Sequence, residues 1–189
     1  MSVQPDGLNG LRRPYIWPDN EALLESVSRC CVHALTSSRN PTFCRGMTKS
    51  GIAHMFGVYL LEIEAMARGN GKKPETGGAA GMPRFVDVKL DQASREAFVG
   101  WQPTDTELVQ HLAQLTFEGY RVGCSWSGEH QSYTVSLTGR AGTGENEGLC
   151  MTAFAGELTR AIALAVYKHR VVAEGVWLSV APSPVEAFG

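Results

Sequence analysis

The sequence predicts an α+β protein: a helical N-terminal segment followed by a small antiparallel sheet with helices on one face, around an α-β-β-β-α core. Three observations predict it. Arg121 to Trp126 alternates, with Val122, Cys124 and Trp126 on one side and Arg121, Gly123 and Ser125 on the other. Ser132 to Thr138 repeats the pattern, with Tyr133, Val135 and Leu137 facing one way and only Ser and Thr facing the other. Gly148 to Ala155 is a third apolar run, and Glu157 to Val172 then continues without Gly, Pro or a period of two. Strict alternation marks a half-buried strand, and a long unbroken run rich in Ala, Leu and Ile marks a helix.

The remaining elements follow in order. Residues 1–16 carry Pro5, Gly7, Gly10 and Pro14 and no periodicity, so they read as a lead-in. Asp19 or Asn20 can cap a first helix reaching about Leu35, because Leu23, Leu24, Val27, Cys31, Ala34 and Leu35 form one stripe at helical spacing. Ser37 to Pro41 breaks it. A second helix runs from about Ser50 to Arg68, with Ile52, Met55, Phe56, Tyr59, Leu60, Ile63 and Met66 on one face. Gly69 to Pro83 is Gly-rich and reads as a flexible linker. The predicted organisation is therefore a helical segment over 1–68, a linker over 69–83, an α+β domain over 84–180 and a tail over 181–189.

Within that domain Phe85 to Leu90 alternates, placing Val86, Val88 and Leu90 inward. Asp91 caps a short helix ending near Trp101, and Pro103 interrupts the chain. Thr104 and Glu107 form a capping box, in which each side chain satisfies a free amide of the other's residue. The helix they open runs to Glu118, and Gly119 suits the residue just past its end. Gly128 to Gln131 is a tight hairpin connection, while Gly139 to Gly148 is a longer polar loop. After Gly175 a short strand over Val176 to Val180 is expected before Pro182 and Pro184.

At 189 residues, 43% hydrophobic and 19% charged, the chain is long and apolar enough for a real core. A net charge of −2 and a pI near 6.2 supply no long-range pull on nucleic acid or anionic membrane. The N-terminus lacks an apolar core and reads as no signal peptide, and no run approaches the roughly 18 apolar residues of a membrane span. An odd count of five cysteines, with no Asn-X-Ser/Thr acceptor, fits a reducing compartment, so a cytoplasmic location is expected.

Candidate chemistry is sparse. Cys30, Cys31, His33 and Cys44 form the one metal-like group, but adjacent cysteines on a helix point about 100° apart and lack the paired C-x-x-C spacing of a zinc site. Small buried thiols are the expected state, and neither a metal nor a cofactor is predicted. Gly142 to Gly148 is only superficially similar to a dinucleotide loop: it precedes a strand and carries two glutamates, so it reads as a hairpin loop. Gly71-Lys72-Lys73 lacks the spacing of a P-loop. His54, His111, His130 and His169 are scattered singly, so no catalytic residue is predicted. Lys168, His169 and Arg170 at the end of the last helix are a local cluster of bases that either complements the helix dipole or contacts phosphate. Arg121, Lys72 and Lys73 are further candidates for a nucleic-acid surface. The outward sheet face presents Arg121, Gly123, Ser125, Ser132, Thr134, Ser136, Thr138 and Thr152. Ser125, Thr134, Ser136 and Thr138 are its candidate partner-binding residues. Without aromatic platforms this face suits docking rather than base stacking, and a register error of one residue would reverse it.

The helix–β–β–β–helix order over Thr104 to Val172 resembles the double-stranded-RNA-binding fold and its variant in HicB-type antitoxins. The RNA-binding family carries a lysine cluster at the start of its last helix, where this chain reads Gly156-Glu157-Leu158-Thr159-Arg160. The phrases FVDVKL, EGYRVGCSW, SYTVSLTG and AVYKHRVVAEGVW are similar to small proteins of phage and environmental virus genomes. These resemblances imply a non-catalytic binding protein, a viral or mobile-element accessory, with single- or double-stranded nucleic acid as ligand. The alternative is a protein-interaction module that self-associates through the sheet face, and a third reading is a small enzyme.

Overall fold

Nine elements make up the described residues of the computed structural model, which are 18–39, 47–69, 86–139 and 149–173. In chain order they are α1 (Pro18–Arg39), α2 (Lys49–Gly69), β1 (Val86–Asp87), α3 (Gln92–Gly100), α4 (Asp105–Phe117), β2 (Arg121–Ser127), β3 (Ser132–Thr138), β4 (Leu149–Ala155) and α5 (Leu158–Ala173). This is the α+β class, with the helix, three strands and helix in the expected order. The linker over 69–83, the loop before β4 and the expected strand over 176–180 lie essentially outside the described residues.

The sheet order is β1-β4-β3-β2. Strands β2, β3 and β4 are antiparallel neighbours, whereas β1 lies parallel to β4 through Val86 and Asp87. The strand expected over 85–90 is thus a two-residue parallel pairing. Two interactions explain its brevity. The Asp87 carboxylate accepts from the Thr152 amide at 3.2 Å, taking the ladder position that a longer strand would fill. Asp91 then accepts from the Ser94 amide at 2.7 Å as the cap of α3, which turns the chain out of the sheet. Val88 and Leu90 are still buried, as the alternation requires.

Helix ends follow their local chemistry. The capping box of α4 is present, with the Thr104 amide donating to Glu107 at 2.7 Å and the Glu107 amide to the Thr104 hydroxyl at 3.2 Å. At its other end Gly119 takes φ 101°, and the amides of Tyr120 and Gly119 bond the carbonyls of Leu115 and Thr116, closing a Schellman turn. Helix α1 runs through the predicted break at Ser37 to Arg39. There the Thr36 and Ser38 hydroxyls donate back to the carbonyls of Val32 (3.0 Å) and Leu35 (2.6 Å), and Arg39 pairs with Asp105 at the start of α4.

One core joins all four long helices to the sheet. Leu35 of α1, Phe56 and Ile63 of α2, Leu108 and Leu112 of α4 and Ile162 of α5 are buried together with Tyr133, Leu137 and Met151 of the sheet. The sequence leaves open whether the N-terminal helices pack on the sheet, and they do. Phe56 lies at the centre of this shared core, and truncating a buried phenylalanine costs about 3–5 kcal/mol. Phe56→Ala is therefore expected to lower the urea midpoint of the whole chain in one transition, followed by circular dichroism and by tryptophan fluorescence. Two separate transitions would mean that the N-terminal helices fold apart from the sheet.

Candidate binding surfaces

Register places the side chains of the sheet in rows. On one face the rows are Trp126–Tyr133–Ala155, Cys124–Val135–Ala153 and Val122–Leu137–Met151. These are the apolar residues of the core, and burial pushes the Cys124 thiol up to about 12. On the opposite face the rows are Ser125–Thr134–Phe154, Gly123–Ser136–Thr152 and Arg121–Thr138–Cys150. The alternation read from the sequence thus has the correct phase. Among the described residues no helix buries its apolar stripe on this second face. Phe154 stands on it 63% exposed, an aromatic that the sequence reading missed. Continuing the period of two from Thr152 along β4 finds it.

Gly123 keeps this face flat, since a Cβ there would sit 2.7 Å from the Ser136 hydroxyl. The two edges of the sheet are occupied differently from the face. At the β4 edge the Asp87 carboxylate holds the Thr152 amide and Lys168 holds the Thr152 carbonyl. At the other edge α2 runs antiparallel to β2, with Lys49 4.6 Å over the Trp126 ring at one end and Glu64 3.9 Å from Arg121 at the other. Occupation of the Thr152 backbone disfavours strand addition at the β4 edge.

The predicted cations do not all converge: Lys168 and Arg121 lie apart from His169 and Arg170. Lys168 is 12% exposed, donates to the Thr152 carbonyl at 2.6 Å and lies 4.0 Å from Asp87. Burial pulls its ammonium below the ordinary lysine value, and Asp87 offsets part of that. His169 turns toward α4, where Tyr120 meets its ring edge-on at 5.1 Å. Arg170 lies over the Trp101 ring at 5.5 Å, beside the aromatic contacts of Phe98, Trp101 and Tyr167 that dock α3 on α5. Arg121 is 76% exposed on the open sheet face, next to Glu64. Lys72 and Lys73 lie outside the described residues.

Two histidines that the sequence leaves separate are brought together. His111 and Gln114 of α4, Glu118 just past its end, and His169 and Arg170 of α5 line a cleft of about 230 Å³. Burial lowers the pKa of both imidazoles below the ordinary value, with the Arg170 charge adding to the effect at His111 and Glu118 opposing it at His169. Gln114 donates to Glu118 at 2.7 Å. The wide sequence separation of α4 and α5 left no local signal of this meeting.

Among the described residues no group of three or more His, Cys, Asp or Glu is placed to hold a metal ion, and no helix is long and apolar enough to cross a membrane. Cys31 is buried with its thiol pushed up to about 12, His33 is exposed, and Cys44 lies outside the described residues. Comparison with protein-family models, with curated proteins and with solved structures finds no match to this chain.

The histidine pair sets a pH dependence. Both imidazoles titrate lower when folded than the roughly 6.5 of an unfolded chain. As pH falls below that value the unfolded chain takes up protons first, so stability is full above it and declines through the depressed folded values. Urea midpoints are expected to fall between pH 7.5 and pH 5, and His169→Gln should flatten that slope. A slope unchanged in the variant would contradict this assignment.

Proposed function

We propose that this chain is a non-catalytic binding protein that pairs with a second copy of itself through the open face of its sheet. The observation that carries the reading is the face itself: hydroxyls, Gly123 and an exposed Phe154, with its charges, Arg121 and Asp87, confined to one end row. Serine and threonine hydroxyls both donate and accept, so such a surface complements its own copy across a twofold axis. The occupied Thr152 backbone favours face-to-face pairing over strand addition at the β4 edge. The element order shared with HicB-type antitoxins supports an interaction role by analogy alone. Nucleic acid has less support as a ligand. Lys168 is spent on Thr152 and Asp87, His169 and Arg170 line the α4–α5 cleft, and Arg121 stands apart on the sheet face.

Size sets the expected strength. Seven-residue strands at about 3.3 Å per residue and about 4.8 Å between strands give a face of roughly 330 Å². That is below the about 800 Å² per partner of a standard interface, so the dimer should be weak. Sedimentation of the 20.5 kDa chain from micromolar to near-millimolar concentration is expected to show a rise toward twice that mass. Phe154→Asp, at an exposed position, should weaken self-association at least tenfold without changing the circular dichroism spectrum. A monomer at every concentration, or a variant that associates as the parent does, would overturn the reading.

A further inference from the structure

We propose that the groove where the α3–α4 connection meets the start of α5 binds a free α-amino acid with an apolar side chain. This inference is independent of the sheet face. The groove holds about 440 Å³, within the roughly 300–1,000 Å³ of small-molecule sites. Phe98, Val99, Trp101 and Pro103 form its apolar wall together with the buried Leu108 and Ala163. Val99 is 69% exposed, so this wall is apolar surface that a ligand would remove from water. Three charged side chains line the groove, Arg39, Glu157 and Arg160. Arg39 is already paired with Asp105. Glu157 and Arg160, one turn apart, make no side-chain hydrogen bond or ion pair among the described residues, with each other included. Between them in the chain, Thr159 lines the same groove, and its hydroxyl oxygen is buried without a hydrogen-bond partner among the described residues. Buried polar atoms are nearly always paired, so an orphan in the wall of a groove marks a place for a ligand group.

Two open charges of opposite sign beside an apolar wall complement a molecule that joins a cation, an anion and an apolar body. An apolar α-amino acid carries all three on one carbon. The Arg160 guanidinium suits its carboxylate, because a planar fork of donors matches two oxygens. The Glu157 carboxylate suits its ammonium, and the Thr159 hydroxyl can donate to the one or accept from the other. The ligand side chain then lies against Phe98, Trp101 and Pro103. Charge balance decides between ligand classes. With Arg39 matched by Asp105, Glu157 and Arg160 cancel, so the groove as a whole is neutral. A simple anion would meet Glu157 as a like charge and a simple amine would meet Arg160 as one, whereas a zwitterion satisfies both. Glu157 and Arg160 are exposed, so solvent screens both contacts and binding should be weak and fall with salt.

The Trp101 indole and Ala163 methyl resonances of the full chain report this directly by NMR during titration with L-phenylalanine at neutral pH. Saturable shifts of both are the expected result. N-acetylphenylalanine, which lacks the ammonium, and phenylalaninamide, which lacks the carboxylate, should each bind at least threefold more weakly. Glycine, which lacks the apolar body, should bind at least tenfold more weakly. Arg160→Gln should lose at least threefold in affinity for phenylalanine and leave phenylalaninamide unchanged. Glu157→Gln should lose as much for phenylalanine and leave N-acetylphenylalanine unchanged. The Glu157 backbone carbonyl, not its side chain, accepts from the Ala161 amide, so this variant keeps the start of α5. No saturable shift up to tens of millimolar phenylalanine, either blocked analogue binding as tightly as phenylalanine, or full affinity in either variant would each overturn the proposal.

Discussion

The dry face of the sheet is the constraint from which the rest of the structure follows. Its three rows, from Trp126–Tyr133–Ala155 to Val122–Leu137–Met151, cannot face water without losing the apolar burial that holds a domain of this size together. Three short strands do not cover that face themselves, so helices must. Helix α5 lies over β3 and β4, α2 lies along β2, and α1 and α4 fill the space between them. This is why the N-terminal helical segment, whose packing the sequence leaves open, is part of the core. Its stripe from Val27 to Leu35 and its partner from Ile52 to Met66 meet the sheet residues in one buried cluster.

The same constraint leaves the other face bare. Period-two alternation puts every serine and threonine of β3 opposite the core, and the rows across β2 and β4 continue it. At the β4 edge, where backbone groups would invite another strand, Asp87 and Lys168 occupy the Thr152 amide and carbonyl. What remains for a partner is therefore side-chain surface rather than backbone. Of the basic residues of the last helix, Lys168 is drawn into this closure and so is separated from His169 and Arg170.

Much of the fold was legible because its signals are local. The Asp91 cap, the Thr104–Glu107 box, the Gly119 turn and the strand phase all depend on residues within one or two turns of each other. The misreadings came where a distant group decides. Helix α1 continues past Ser37 because its hydroxyls bond back to carbonyls and Asp105 receives Arg39. Strand β1 is short because the Asp87 side chain replaces its next pairing. The Lys168-His169-Arg170 run reads as one cluster, yet steps of about 100° around the helix turn Lys168 to the sheet edge while His169 and Arg170 line the α4–α5 cleft. The His111–His169 cleft depends wholly on how α4 meets α5. Phe154 was different, since the alternation already in hand was enough to place it.

The most direct test of the central claim is the concentration dependence of amide and methyl NMR shifts across the whole chain. The account predicts shifts confined to the open face, at Ser125, Thr134, Ser136, Thr152 and Phe154, growing together with concentration. Shifts centred on α1, α3 or the α4–α5 cleft, or none at all up to millimolar chain, would contradict pairing through the sheet.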